Sequence, residues 1–112
     1  MNHKYFITGA TLDDGTQKDI FVVDGKIGGF ENPSNSGAQI IQAKGKIVLP
    51  GLVDLHTHLR EPGKEDSETV LSGSQAGARG GFTALSAMPN TSPVADTAGV
   101  VEQVLRLGIE AG

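Results

Sequence analysis

Apolar and polar positions alternate in short runs through the first fifty residues: Tyr5 to Thr8, Asp19 to Val23, Lys26 to Phe30, Gln39 to Gln42 and Lys46 to Leu49. Runs of this length, separated by turn residues, predict β-strands. Asp24-Gly25 divides the second from the third, and this dipeptide suits a two-residue hairpin turn because both central positions need positive φ. Asn32 to Gly37, Asn-Pro-Ser-Asn-Ser-Gly, carries only turn-forming residues and predicts a loop. The segment reads as all-β.

After Pro50-Gly51 the period changes. Leu52 to His58 predicts a strand, and Asp66 to Arg79 has the length of a helix, with Asp66 or Ser67 as N-cap and Gly80-Gly81 as the stop. Gly73 and Gly77 weaken that helix. Phe82 to Met88 predicts a second strand, ended by Pro89. Asp96 or Thr97 then caps a helix in which Val100, Val101, Val104, Leu105 and Gly108 recur at helical spacing. Strands alternating with helices predict βαβ units on a parallel sheet. The chain thus divides into a β segment, residues 1–50, and an α/β segment, residues 51–112.

Composition narrows the function classes. The net charge of -4 arises from 13 acidic and 9 basic residues, the latter scattered, which argues against a nucleic-acid surface. The absence of cysteine excludes disulfides and thiolate metal sites. No apolar run approaches the roughly 20 residues of a membrane span, and the start lacks the pattern of a secretory signal, so the expectation is a soluble, cytoplasmic protein with no membrane partner. Sixteen glycines, about twice the usual share of roughly 7%, imply many turns or close backbone approaches.

The chemistry concentrates on Leu52-Val53-Asp54-Leu55-His56-Thr57-His58. As a strand, period 2 puts Asp54, His56 and His58 on one face. Imidazoles at i and i+2 have Cα atoms roughly 6.6 Å apart, close enough for both to reach one ion. Asp54, deeper on that face, could orient a ligand or a metal-bound solvent molecule. The competing reading is two ordinary histidines at a strand end. Burial favours metal, because a strand covered on both faces would leave these polar groups unsatisfied at roughly 1 to 3 kcal/mol each.

Arg60 follows where the strand gives way to Glu61-Pro62-Gly63, a sequence suited to a type II turn. Its guanidinium could take a substrate carboxylate in two parallel hydrogen bonds, or it could pair with Glu61 or Glu65 in solvent. Asn90, in Met88-Pro89-Asn90-Thr91, would emerge at the same C-terminal edge if the two strands are parallel. It offers an amide donor and acceptor there, or serves only as a turn residue after proline.

Taken together, Pro50-Gly51-Leu52-Val53-Asp54-Leu55-His56-Thr57-His58-Leu59-Arg60-Glu61-Pro62-Gly63 resembles the signature of dihydroorotases within the amidohydrolase superfamily. Gly80-Gly81-Phe82-Thr83 and Met88-Pro89-Asn90-Thr91 resemble that family's second block. The resemblance implies part of a small β-sandwich followed by the first two βα units of a metal-dependent (β/α)8 barrel. It further implies that His56 and His58 hold zinc, one or two ions in a complete enzyme, and that Arg60 and Asn90 grip a substrate carboxylate. The implied reaction is the reversible, zinc-dependent hydrolysis of dihydroorotate to N-carbamoyl-aspartate in pyrimidine synthesis. Allantoinases, dihydropyrimidinases and hydantoinases share the His-x-His strand; Arg60 favours a substrate with a free carboxylate.

A (β/α)8 barrel takes roughly 250 residues, and the chain after Pro50 has room for two of its units. The family's remaining ligands and catalytic aspartate match nothing before Gly112, and His3 shows no partner pattern. The expectation is an inactive fragment of a longer enzyme, with a homo-oligomer or an aspartate transcarbamoylase as possible partners. The alternatives are a dihydroorotase-like structural subunit without catalysis and a small independent α/β binding domain.

Overall fold

A computed structural model describes residues 3–112, and the chain divides after Pro50 into two compact units. In the first, β1 (Lys4–Thr11), β2 (Gln17–Val23), β3 (Lys26–Gly29) and β4 (Gln39–Gln42) form one sheet in the order β3-β2-β1-β4. Asp24 and Gly25 take φ of 49° and 74°, the paired positive values that the β2-β3 hairpin turn requires. β4 returns parallel to β1, pairing Tyr5 to Thr8 with Gln39 to Gln42. Phe6, Ala10, Ile20, Phe21 and Ala43 are the buried apolar residues of this unit.

The predicted strand Lys46 to Leu49 does not form. Only Ile47 bridges to Thr11, because β4 already occupies the flank of β1 as far as Thr8, and a turn closed by the Lys46 N–H on the Ala43 carbonyl leaves just the last residue of β1 to pair. Val48 and Lys46 bond to Thr11 through their backbone, and the segment then leaves the sheet.

In the second unit the element order is β5 (Leu52–Thr57), α1 (Val70–Arg79), β6 (Phe82–Ala87) and α2 (Ala98–Ala111), with β5 and β6 parallel. This is the strand-helix alternation the sequence predicts. The start of α1 is later than Asp66 or Ser67. Thr69 is the N-cap: its hydroxyl accepts from the Ser72 N–H at 3.0 Å, while Ser72 Oγ accepts from the Thr69 N–H at 3.0 Å. Asp66 and Ser67 instead lie in a turn, where the Ser67 N–H donates to the Lys64 carbonyl. This reciprocal pair satisfies two donors that a helix start leaves orphaned, and so fixes the boundary. Thr97 caps α2 by position, without a side-chain hydrogen bond.

Gly73, unfavourable for helix by propensity, has a packing role. A Cβ there would come 2.5 Å from Leu59 Cδ2, so any other residue would have to displace the buried Leu59 side chain for α1 to approach the segment after β5 this closely. Leu59 and Val70, at 8% and 1% exposure, form the buried centre of the unit. On α2 the half-buried positions are Val100, Val104, Leu107 and Ala111, whereas Val101 and Leu105 are exposed. The expected burial of both faces of β5 is not met either. Leu52, Val53 and Leu55 are 50%, 57% and 75% exposed, since a two-stranded sheet with its helices leaves much of each strand uncovered.

Candidate metal centre

His56 stands near the end of β5 and His58 one residue beyond it, with ring centroids 5.1 Å apart and planes inclined by 64°. The strand delivers both rings to one place, as the i, i+2 spacing predicts. Strict alternation is nevertheless broken: Asp54 pairs with Leu85 and Thr57 with Ala87, three positions on β5 against two on β6. The extra residue is a local bulge of the kind that re-aims side chains at strand ends.

Because β5 and β6 run parallel, the loop after β6 rises beside the histidines. The Met88 N–H donates to the Thr57 carbonyl at 2.9 Å, continuing the pairing past the end of β6. Two residues on, Asn90 Oδ1 lies 2.8 Å from His58 Nδ1. Asn90 is thus brought to the same edge as His56 and His58, and its partner there is a ring nitrogen.

Asp54 has a different partner from the one its face suggests. Its Oδ1 accepts the backbone N–H of His56 at 2.9 Å, which holds the strand end rather than a ring. Among the described residues no group of three His, Cys, Asp or Glu side chains converges on one point. The residues that would hold a cation here are the two adjacent imidazoles of His56 and His58. Imidazole nitrogen is a donor that zinc accepts, and two such rings would be two of the three protein ligands usual at a catalytic zinc site.

Arg60 adopts φ of 65°, a left-handed conformation that costs a non-glycine residue roughly 1 to 2 kcal/mol. It pairs with neither glutamate proposed for it. Glu61 Oε2 accepts from the Val70 N–H at 2.8 Å and Glu65 Oε1 from the Gly63 N–H at 2.7 Å. Among the described residues the one ion pair is Arg106 with Glu110, and the Arg60 guanidinium has no carboxylate partner there. The hydrogen bond from Gly63 holds the Glu65 carboxyl below its ordinary value.

The turn after Arg60 is wider than the predicted type II turn, closing from the Lys64 N–H to the Arg60 carbonyl at 3.0 Å. Gly63, at φ of 100°, lies against the Ser92 carbonyl, where a Cβ would collide. Ser92 in turn donates its N–H to the Pro62 carbonyl at 2.9 Å, so the loops after β5 and β6 are laced together. Sequence reasoning missed this lacing and the helix-capping role of Glu61. Neither follows from local turn residues.

A cleft of about 500 Å³ lies among α1, β6 and α2. Leu59, Val70, Leu85 and Val104 line it, with Arg60 and Glu61 as its charged residues; neither histidine nor Asn90 does. Its lining is mainly apolar, and it meets the strand-end loops at Arg60 while the two imidazoles lie outside it. Among the described residues no helix is long and apolar enough to cross a membrane.

The model of the dihydro-orotase-like family matches residues 45–109, which include His56, His58, Arg60 and Asn90. The chain is 60% identical over 109 residues to a dihydroorotase of Leifsonia xyli subsp. xyli, covering 96% of this chain and 25% of that protein. To a dihydroorotase of Streptomyces coelicolor it is 58% identical over 111 residues, covering 97% and 26%. Among solved structures, an L-hydantoinase (dihydropyrimidinase) from Arthrobacter aurescens matches 96% of this chain and 25% of its own, with a TM-score of 0.77 and 30% identity. The chain spans about a quarter of the length of these relatives. A family model that matches more than half of the chain, across the strand that carries His56 and the loops that carry His58, Arg60 and Asn90, places this chain in the dihydro-orotase-like family.

Proposed function

We propose that this chain forms the metal-binding corner of a cytoplasmic dihydroorotase, an enzyme that reversibly hydrolyses the cyclic amide of dihydroorotate to N-carbamoyl-aspartate in pyrimidine synthesis. The observation that carries this is the pair His56 and His58, with ring centroids 5.1 Å apart at the end of a parallel strand. A zinc ion held by these rings would supply Lewis-acid polarisation of the amide carbonyl and acidify a water molecule. The four-stranded sheet belongs, in this reading, to a β-sandwich, and β5-α1-β6-α2 to the first two units of a (β/α)8 barrel, whose strand ends carry the site.

Arg60 distinguishes the substrate. Among the described residues its guanidinium pairs with no carboxylate, and a substrate carboxylate is an anion its planar fork fits. The strained backbone that presents it supports a role beyond structure, because such conformations cluster at binding sites. The second reading, a hydantoinase or dihydropyrimidinase, is favoured by the structural match to the Arthrobacter enzyme. Those ring substrates lack the free carboxylate.

The test is a chimera in which these 112 residues replace the corresponding quarter of the Streptomyces coelicolor relative. Zinc-dependent opening of dihydroorotate, with little opening of hydantoin or dihydrouracil, is expected. Preference for the uncharged rings would move the assignment to the second reading. The 112-residue chain assayed alone with zinc should show no turnover, and turnover near that of a full enzyme would overturn its reading as one corner of a site.

A further inference from the structure

One side chain touches a histidine ring of the pair directly. Asn90 Oδ1 lies 2.8 Å from His58 Nδ1, and among the described residues this is the hydrogen bond the ring makes. A neutral imidazole carries one N–H and one lone pair. With Nδ1 engaged, the ring can offer a lone pair to a cation only from Nε2. That requires the proton on Nδ1 and an oxygen facing it, which the amide carbonyl of Asn90 provides.

We propose that Asn90 is a positioning residue that holds His58 in its Nδ1–H form, keeping Nε2 free to bind a cation; this rests on reading His56 and His58 as metal ligands. Ligating histidines commonly give their second N–H to a carbonyl or carboxylate, which fixes both tautomer and ring orientation. The same contact orients the amide. Its Oδ1 is taken by His58, so the Nδ2 donors are what Asn90 has left for an anion. A grip on substrate by Asn90 and the readiness of His58 for metal then share one hydrogen bond, across 32 residues of sequence and two loops.

Long-range proton–nitrogen NMR on the metal-free 112-residue chain, at a pH where the ring is neutral, reads the tautomer directly. His58 should be mainly Nδ1–H. Asn90→Ala should return it to mainly Nε2–H, and Asn90→Asp, which keeps an acceptor oxygen, should restore Nδ1–H. Zinc titration followed at the same nitrogens should show affinity weakened about tenfold or more in Asn90→Ala. An Nε2–H ring in a chain that binds zinc through both histidines overturns the tautomer lock and leaves the metal reading standing. An Nδ1–H ring with no zinc response at either histidine overturns the metal reading, and with it the assignment of Asn90 as a positioning residue for a ligand.

Discussion

The carboxylate of Glu61 accepts the backbone N–H of Val70 at 2.8 Å, so the loop that leaves the histidine strand also caps the helix that follows. Val70 is the first residue of α1 and the most deeply buried large side chain. An anion at a helix N-terminus satisfies an orphan donor and complements the helix dipole. Glu61→Ala should therefore destabilise the second unit by about 1 kcal/mol. Urea denaturation followed by circular dichroism measures this; an unchanged midpoint would remove Glu61 from the cap.

Arg60 holds a backbone conformation that favours glycine. Glycine takes a φ of 65° without the penalty a side chain imposes, so Arg60→Gly should raise stability by about 1 kcal/mol, after allowing for the greater freedom of glycine when unfolded. Arg60→Lys keeps the strain and should give no such gain. Titration of both variants with urea checks the difference. A midpoint for Arg60→Gly below that of the wild type would mean that the conformation at residue 60 stores too little strain to offset the freedom of glycine.

Glu65 should titrate below its ordinary value of 4.5, because the Gly63 N–H donates to its ionised form. A folded-state pKa below the unfolded one adds stability that is fully present above the ordinary value and is lost as pH falls through the folded one. The loop should thus hold its Gly63–Glu65 contact at neutral pH and release it only below pH 4.5. Carboxyl-carbon NMR gives the midpoint, and Glu65→Gln should abolish that step in the acid stability curve. A midpoint at or above the ordinary value would contradict the bond.

Legibility in the sequence followed the range of the interaction. Asp24-Gly25 marked its hairpin because positive φ at both positions is a property of the dipeptide itself. His56 and His58 were legible as a pair because strand period brings i and i+2 together. Thr69 was missed as the cap although Ser72 stands at capping-box spacing, since Ser replaces the usual Glu or Gln there. Lys46 to Leu49 has the pattern of a strand but no free strand edge to join, which local sequence does not encode. The contact of Asn90 with His58 needs the parallel pairing of β5 and β6, and the partner of Asp54 depends on a side-chain rotamer.

If His56 and His58 together bind a metal ion, both rings must respond to it and neither can be spared. Zinc titration of the 112-residue chain, observed at the imidazole nitrogens of all three histidines, measures this with His3 as the internal control. Saturable shifts are expected at both His56 and His58, with little change at His3 and loss of the response in either His56→Ala or His58→Ala. Shifts absent from the pair, or no larger there than at His3, would contradict metal binding by the pair.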